Sequence, residues 1–369
     1  MSSTLCCALL PISTQIDKLT EQAQTWHIGG GNLFVDRAEA YRKIERERSS
    51  RLLVYVTGDR RGMETQMHPE IIDSMAEHLD SFESSKKITL LLHSRGGDTS
   101  AGWSIANLIR SFCEDFEVIV PARAHSAATL LCLGANRIIL TRQATLGPID
   151  PSVNTPLNPQ IPGGGPNARF GVSVESIQGF VELAKQEFGI SSSSDMTSVL
   201  SSLASEVHPL VLGNVFRARS HIRMLANSLL EKQFGGRTEV DKIERIVSFL
   251  CSDSGSHDYT INRTEAREQL GLSVETPTKS LYDLIREVFQ SIVSELEFRT
   301  PFNPPLMVAS SNSVRYECRR AIIESLTGGT DVFVSEGTIL KHQQPTPQGI
   351  VQQVQDNRSF EGWKKETHE

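Results

Sequence analysis

Apolar positions change their spacing sharply at residue 51. Before it, residues 13–50 read as polar helix with a break at glycines 29–31, so residues 1–50 are expected to form a helical N-terminal arm. From residue 52 to 57 the chain is a continuous apolar run of strand length, closed by Gly58-Asp59. Ile71, Ile72, Met75 and Leu79 then share one helical face. A second strand spans 88–92 and ends in Ser94-Arg95-Gly96-Gly97-Asp98. Trp103, Ile105, Leu108 and Ile109 mark the next helix, and a third strand at 117–121 leads to His125-Ser126. A helix over 127–133 and a short strand over 137–141 follow. Continuous apolar strands alternating with helices predict an α/β fold, a parallel sheet flanked by helices on both faces. Ligands in such sheets sit beyond the carboxyl ends of the strands. Two of those ends are unusual here: 94–98 and 125–126.

Residues 151–170, rich in Pro, Gly and Asn, predict a long loop. Helices are expected over 174–188, 209–232 and 264–270, the last stopped by Gly271, with a polar linker at 191–194. After Pro277 a different unit begins: a helix over 279–297, a Pro-rich crossing at 301–305, and a helix-and-strand piece to Ile339. The chain thus divides into an arm (1–50), a main α/β domain (51–275), an α+β C-terminal extension (276–342) and a tail expected to be disordered (343–369).

Composition narrows the function. The formal net charge of −7 and the lack of a basic block argue against nucleic acid as a partner, because phosphate contact needs a clustered basic face. Six cysteines with no C-x-x-C pair, three of them in apolar surroundings, are the usage of a reducing compartment, and we expect a cytoplasmic protein. No stretch approaches the roughly 20 apolar residues of a membrane span. No metal or cofactor is expected: His68 and His78 lack helical metal spacing, no H-E-x-x-H occurs, and Gly163-Gly164-Gly165 lacks the Lys-Ser/Thr of a phosphate loop.

Two segments can carry chemistry. Gly96-Gly97 lies between a strand and a helix, where glycine lets backbone N–H groups approach a ligand and the helix start adds positive field for an oxyanion. Taken alone it also reads as a connecting turn, with Asp98 or Thr99 as the helix cap. Ser126 follows a strand and opens a helix of small and apolar residues, the logic of a nucleophile elbow without its G-x-S-x-G motif. It also reads, on local sequence alone, as a serine N-cap.

The conjunction decides between these readings. SRGGDTSAGWSIANLI, a strand, AHSAATLLCLGANRIIL and then TLGPIDP resemble the serine dehydrogenase proteinase family, Clp-fold serine peptidases related to signal peptide peptidase and the Clp protease peptidase subunit. The resemblance spans roughly residues 50–275, because Thr264-Glu265-Ala266 with Gly271-Leu272 resembles the family's closing helix. It implies a Clp/crotonase-like fold, Ser126 as nucleophile, the Gly96 and Gly97 backbone as oxyanion hole, a protein or peptide substrate, and a homo-oligomer. The general base departs from the family pattern. No histidine follows Leu146 shortly, and the helix at 209–232 has no lysine in its middle. His208, Lys185, His221 and His125 remain, with Asp150 able to orient a histidine, and the base stays unassigned. The competing functions are a non-catalytic Clp-fold scaffold and an acyl-CoA enzyme of crotonase type.

Overall fold

The computed structural model describes residues 33–366, apart from residues 84, 150–151, 164, 166, 235–238, 254–255, 257 and 347–348. The first part of the expected N-terminal arm and the candidate Asp150 therefore lie outside the described residues.

Helix α1 (Leu33–Arg48) leads into strand β1 (Arg51–Thr57), then helix α2 (Ile72–Asp80), β2 (Lys87–His93), α3 (Thr99–Phe112) and β3 (Asp115–Val120). The short β4 (Arg123–Ala124) feeds α4 (Ala127–Leu133), followed by β5 (Arg137–Leu140) and β6 (Thr145–Leu146). Beyond the loop come β7 (Ser152–Val153), β8 (Val172–Ser173) and α5 (Val174–Glu182), which runs on through a wide helical turn to Glu187. Then come α6 (Ser193–Glu206), α7 (Pro209–Phe234), α8 (Val240–Ser248), β9 (Ile261–Asn262), α9 (Arg263–Glu268) and β10 (Val274–Glu275). The extension contributes α10 (Lys279–Glu295), α11 (Pro304–Met307), β11 (Ser313–Ser325), β12 (Gly329–Thr346) and β13 (Gly349–Glu366).

An eight-stranded sheet runs β10-β5-β3-β2-β1-β11-β12-β13, parallel as far as β1 and antiparallel beyond it. The alternation of side chains along each strand explains its unbroken apolar runs. Leu53, Tyr55, Leu90, Leu92, Val118 and Val120 point into one core, with α2, α3, α4 and the C-terminal half of α7. Leu52, Val54, Val56, Leu91 and Ile119 point into a second core, closed by α1 and α10. The fold is α/β, a largely parallel sheet flanked by helices, as expected.

Two expectations about the C-terminal part need correction. The extension is not a separate unit. Strand β11 pairs directly with β1 (Val54 opposite Glu324, Thr57 opposite Ala321), so one sheet crosses the boundary at residue 276. The tail 343–369 was expected to be disordered, yet residues 343–346 finish β12 and residues 349–366 form β13, which pairs with β12 from Thr330–Glu366 to Thr346–Gly349. Their polar, glutamine-rich sequence suits an edge strand whose outer face meets solvent. Helix α6 also lies in a stretch where only a polar linker was expected, and none of its residues is buried.

Buried ion pairs bolt the second core together. Arg37 of α1 bonds Glu324 of β11 and Glu295 of α10, and the Tyr41 hydroxyl also donates to Glu324. All three charged side chains are at most 2% exposed. Removing one partner of such a network leaves an uncompensated buried charge, which costs about 3–5 kcal/mol. Arg37→Met should therefore lower the unfolding free energy by about that amount in urea titrations. A loss under about 1 kcal/mol would show that the network is not a structural tie.

Candidate active site

At the carboxyl ends of β2 and β4 the two unusual segments meet. Ser94 pairs with Ala124: Ser94 N donates to the Arg123 carbonyl at 3.2 Å, and His125 N donates to the Ser94 carbonyl at 3.1 Å. Two residues further along each segment lie Gly96 and Ser126, and they touch. A Cβ on Gly96 would lie 2.5 Å from the His125 carbonyl oxygen and 2.7 Å from Ser126 Cβ. Gly96 and Gly97 have φ of 98° and 146°, a region that side chains rarely adopt.

Ser126 itself has φ 53° and ψ −120°, one of four non-glycine residues with positive φ among the described residues. Such a backbone costs about 1–3 kcal/mol and persists only where the surroundings impose it. A sharp strand-to-helix turn of this kind is what a nucleophile elbow requires. Ser126 stands at the N-cap position of α4, but its side chain makes no capping hydrogen bond, so the simple cap reading fails. The hydroxyl is half-buried and, among the described residues, has no hydrogen-bond partner. Thr129, on the first turn of α4, fixes the elbow from behind: its Oγ1 donates to the Ala124 carbonyl at 2.7 Å and accepts from Gly147 N at 3.1 Å. Gly102 lets α3 press against the same turn, where a Cβ would lie 2.3 Å from the Ala127 carbonyl oxygen.

The two glycines differ in what their N–H groups can do. Gly96 N already donates to Ser94 Oγ at 3.0 Å. Gly97 lies against Met67, whose N donates to the Gly96 carbonyl at 2.8 Å and whose carbonyl accepts from Asp98 N at 2.8 Å. That pairing leaves the Gly97 N–H outside the ladder. Ala127 N, at the first position of α4, likewise has no helical acceptor. The structure thus offers Gly97 and Ala127 as oxyanion donors ahead of Gly96. The alternative reading of the turn also holds in part, since Asp98 Oδ1 caps α3 through Ser100 N at 2.7 Å.

None of the sequence-derived base candidates is hydrogen-bonded to Ser126. His208 is exposed, and its Nδ1 accepts from Leu210 N at 3.2 Å, capping α7. Lys185, on the turn that ends α5, and His221, on α7, are exposed as well. His125 bonds Thr145 Oγ1 through Nε2 at 2.9 Å and packs over Gly147. Burial, helped by the charge of Arg123, pushes its imidazole down to about 4.

Another constellation imitates a triad. His78 bonds Ser325 Oγ at 2.7 Å through Nδ1 and Asp331 Oδ2 at 2.9 Å through Nε2. His78 and Ser325 are fully buried, and Gly328 N also donates to Ser325 Oγ. No substrate can reach that serine, so the group is a structural clasp between α2 and the β11–β12 turn. Among the described residues no cluster suited to a metal ion occurs.

Residues 27–161 match the model of the ClpP-like SDH-type serine proteinase family. The similarity covers that segment, which holds both Gly96-Gly97 and Ser126. Two uncharacterized proteins of Methanocaldococcus jannaschii are related to it. One is 27% identical over 57% of this chain, which spans 61% of that relative's length. The other is 23% identical over 68% of this chain and 75% of its own. Among solved structures, a variant of the 1510-N membrane-bound stomatin-specific protease aligns with 66% of this chain and 85% of its own, at 14% identity and a TM-score of 0.37. Among the described residues no single helix is long and apolar enough to cross a membrane.

Two substitutions separate the elbow from the clasp. Ser126→Gly removes the strained side chain and should stabilise the fold by about 1 kcal/mol in chemical denaturation. Ser325→Ala strips a buried partner from His78 and should cost about 1–3 kcal/mol while leaving the Ser126 segment intact. The reverse pattern would mean that the two serines have been given each other's roles.

Proposed function

We propose that this protein hydrolyses peptide bonds through Ser126. The observation that carries the reading is the strained Ser126 elbow with an unbonded hydroxyl, seated against Gly96-Gly97 and at the first N–H groups of α4. Attack of Oγ on a carbonyl carbon pushes negative charge onto the carbonyl oxygen. Gly97 N–H and Ala127 N–H stand ready to receive it, and fixed donors of this kind contribute more than the same groups in water. The proton from Oγ passes to a base and then to the leaving amine; water repeats the sequence on the acyl-enzyme.

His208 is our first choice for the base. Its Nδ1 is used in capping α7, so its Nε2 is the atom that would take the proton. His221 and Lys185 are the alternatives; Asp150, outside the described residues, would orient a histidine. A second reading, a non-catalytic scaffold on the same fold, is favoured by the absence among the described residues of any base bonded to Ser126.

A homo-oligomer belongs to the proposal. Exposed large apolar side chains gather between α5 and the first half of α7: Phe180, Leu183, Phe188, Leu200, Leu210 and Phe216. This many exposed large apolar side chains on one stretch of chain supports an interaction face. A cytoplasmic setting is supported by Cys113, Cys132, Cys251 and Cys318, all free thiols.

Ser126→Ala should abolish turnover of casein or of a peptide library while the unfolding midpoint stays within about 1 kcal/mol of the parent, since no cap bond is lost. Parent-like turnover in this variant would end the assignment. In the same assay His208→Ala should cost several powers of ten, as removal of a base does in serine hydrolases. Wild-type rates in His208→Ala would eliminate it and move the question to His221→Ala and Lys185→Ala.

A further inference from the structure

The segments carrying Gly97 and Ser126 converge on one carboxylate. Asp59 follows β1 and is only 10% exposed. Its Oδ1 accepts from Arg95 Nε at 2.9 Å, and Arg95 directly precedes Gly96. Its Oδ2 lies 3.4 Å from Arg123 Nη1, on the short strand that leads to Ser126. The same Oδ2 lies 3.2 Å from Nε2 of His93, the last residue of β2. Burial pushes the Asp59 carboxyl up, but the His93 bond and the charges of Arg123 and Arg95 outweigh it, so the group sits below the usual carboxylate range. Burial also pushes the His93 imidazole down. The ring nitrogen nearest Asp59 is Nε2, so it is this atom that ties the end of β2 to the carboxylate.

Asp59 is held from the other side by the C-terminal extension. Gly58 N donates to the Arg320 carbonyl at 2.7 Å, and a Cβ on Gly58 would lie 2.5 Å from that oxygen. Arg320 Nε donates to the Met63 carbonyl at 3.1 Å, Arg60 Nε to the Thr300 carbonyl at 2.9 Å, and Phe302 N to the Arg61 carbonyl at 2.9 Å. The His93 ring stacks near Phe289 of α10 and Phe298, with centroids 4.8 and 5.5 Å away. The segment 58–67 thus leaves β1, is fastened to the extension, and ends at Met67, the residue paired with Gly97.

We propose that Asp59 is a positioning residue that sets the spacing between the Gly97 N–H and the Ser126 hydroxyl, and that the C-terminal extension acts on the site through it. Asp59 touches neither reacting group. It neutralises two arginines that would otherwise repel each other beside the site, and it ties the ends of β2 and β4 to β1. The proposal rests on Ser126 being the nucleophile.

The test is Asp59→Asn, which keeps the shape and removes the charge. With a fluorophosphonate under pseudo-first-order conditions, the limiting rate of Ser126 modification should fall about a hundredfold with half-saturation unchanged, as expected when reacting groups are misplaced by about an ångström. The double variant Asp59→Asn/Arg95→Gln should lose no more than Asp59→Asn alone, because both act through one tie. An unchanged limiting rate, or additive losses, would overturn the proposal. Amide hydrogen exchange gives a reading that does not depend on reactivity. Asp59→Asn should speed exchange at residues 94–98 and 123–128 while leaving β12 and β13 as protected as in the parent. If the parent protein is not labelled at all, the Ser126 reading fails, and exchange alone decides whether Asp59 is a clamp: unchanged protection at both segments would refute it.

Discussion

The structure turns on one backbone conformation. Ser126 is held at φ 53°, where an ordinary residue does not stay unless its neighbours force it. Three contacts supply that force: the Ser94–Ala124 pairing before it, the Thr129 bridge behind it, and the close approach of Gly96 beside it. Each depends on the parallel sheet, because only parallel β1, β2 and β3 bring these strand ends to one edge. The strain leaves a half-buried hydroxyl at the mouth of a helix and removes the hydrogen bond that a plain N-cap serine would make. An acyl-CoA enzyme of crotonase type has no use for such an elbow.

Much of this was legible in the sequence because the signals were local and strong. The apolar runs at 52–57 and 88–92 became β1 and β2, and the helix over 127–133 appeared with the expected bounds. The Gly-Gly turn was visible, but not which glycine keeps its N–H free, since that depends on Ser94 Oγ and on Met67, 30 residues upstream of Gly97. Helix α6 escaped notice because its serine-rich sequence buries nothing. Strand β13 did so because a polar edge strand and a disordered tail share a composition. Asp59 gave no signal at all. A lone Gly-Asp after a strand reads as a turn, and its importance comes from arginines 36 and 64 residues away in the chain.

The buried charges divide into two kinds. Arg37, Glu324 and Glu295, like His78 with Ser325 and Asp331, lie sealed within the packing and bind helices to the extension's strands. The Asp59 group lies at the boundary between core and site, with His93 buried and Arg95 largely exposed. That difference explains why the triad-like geometry at His78 is closed to substrate, while the half-buried Ser126, with no base bonded to it, is the serine proposed as nucleophile. Access and a place for the oxyanion outrank a preformed hydrogen bond, since catalytic contacts often tighten only when substrate is present.

The most direct measurement is the mass of the native protein after reaction with a biotinylated fluorophosphonate, with the modified residue located by peptide mass spectrometry. The account predicts one adduct, on Ser126, formed by the folded protein and lost when it is unfolded beforehand. No adduct on the folded protein, or an adduct on another serine, would contradict it.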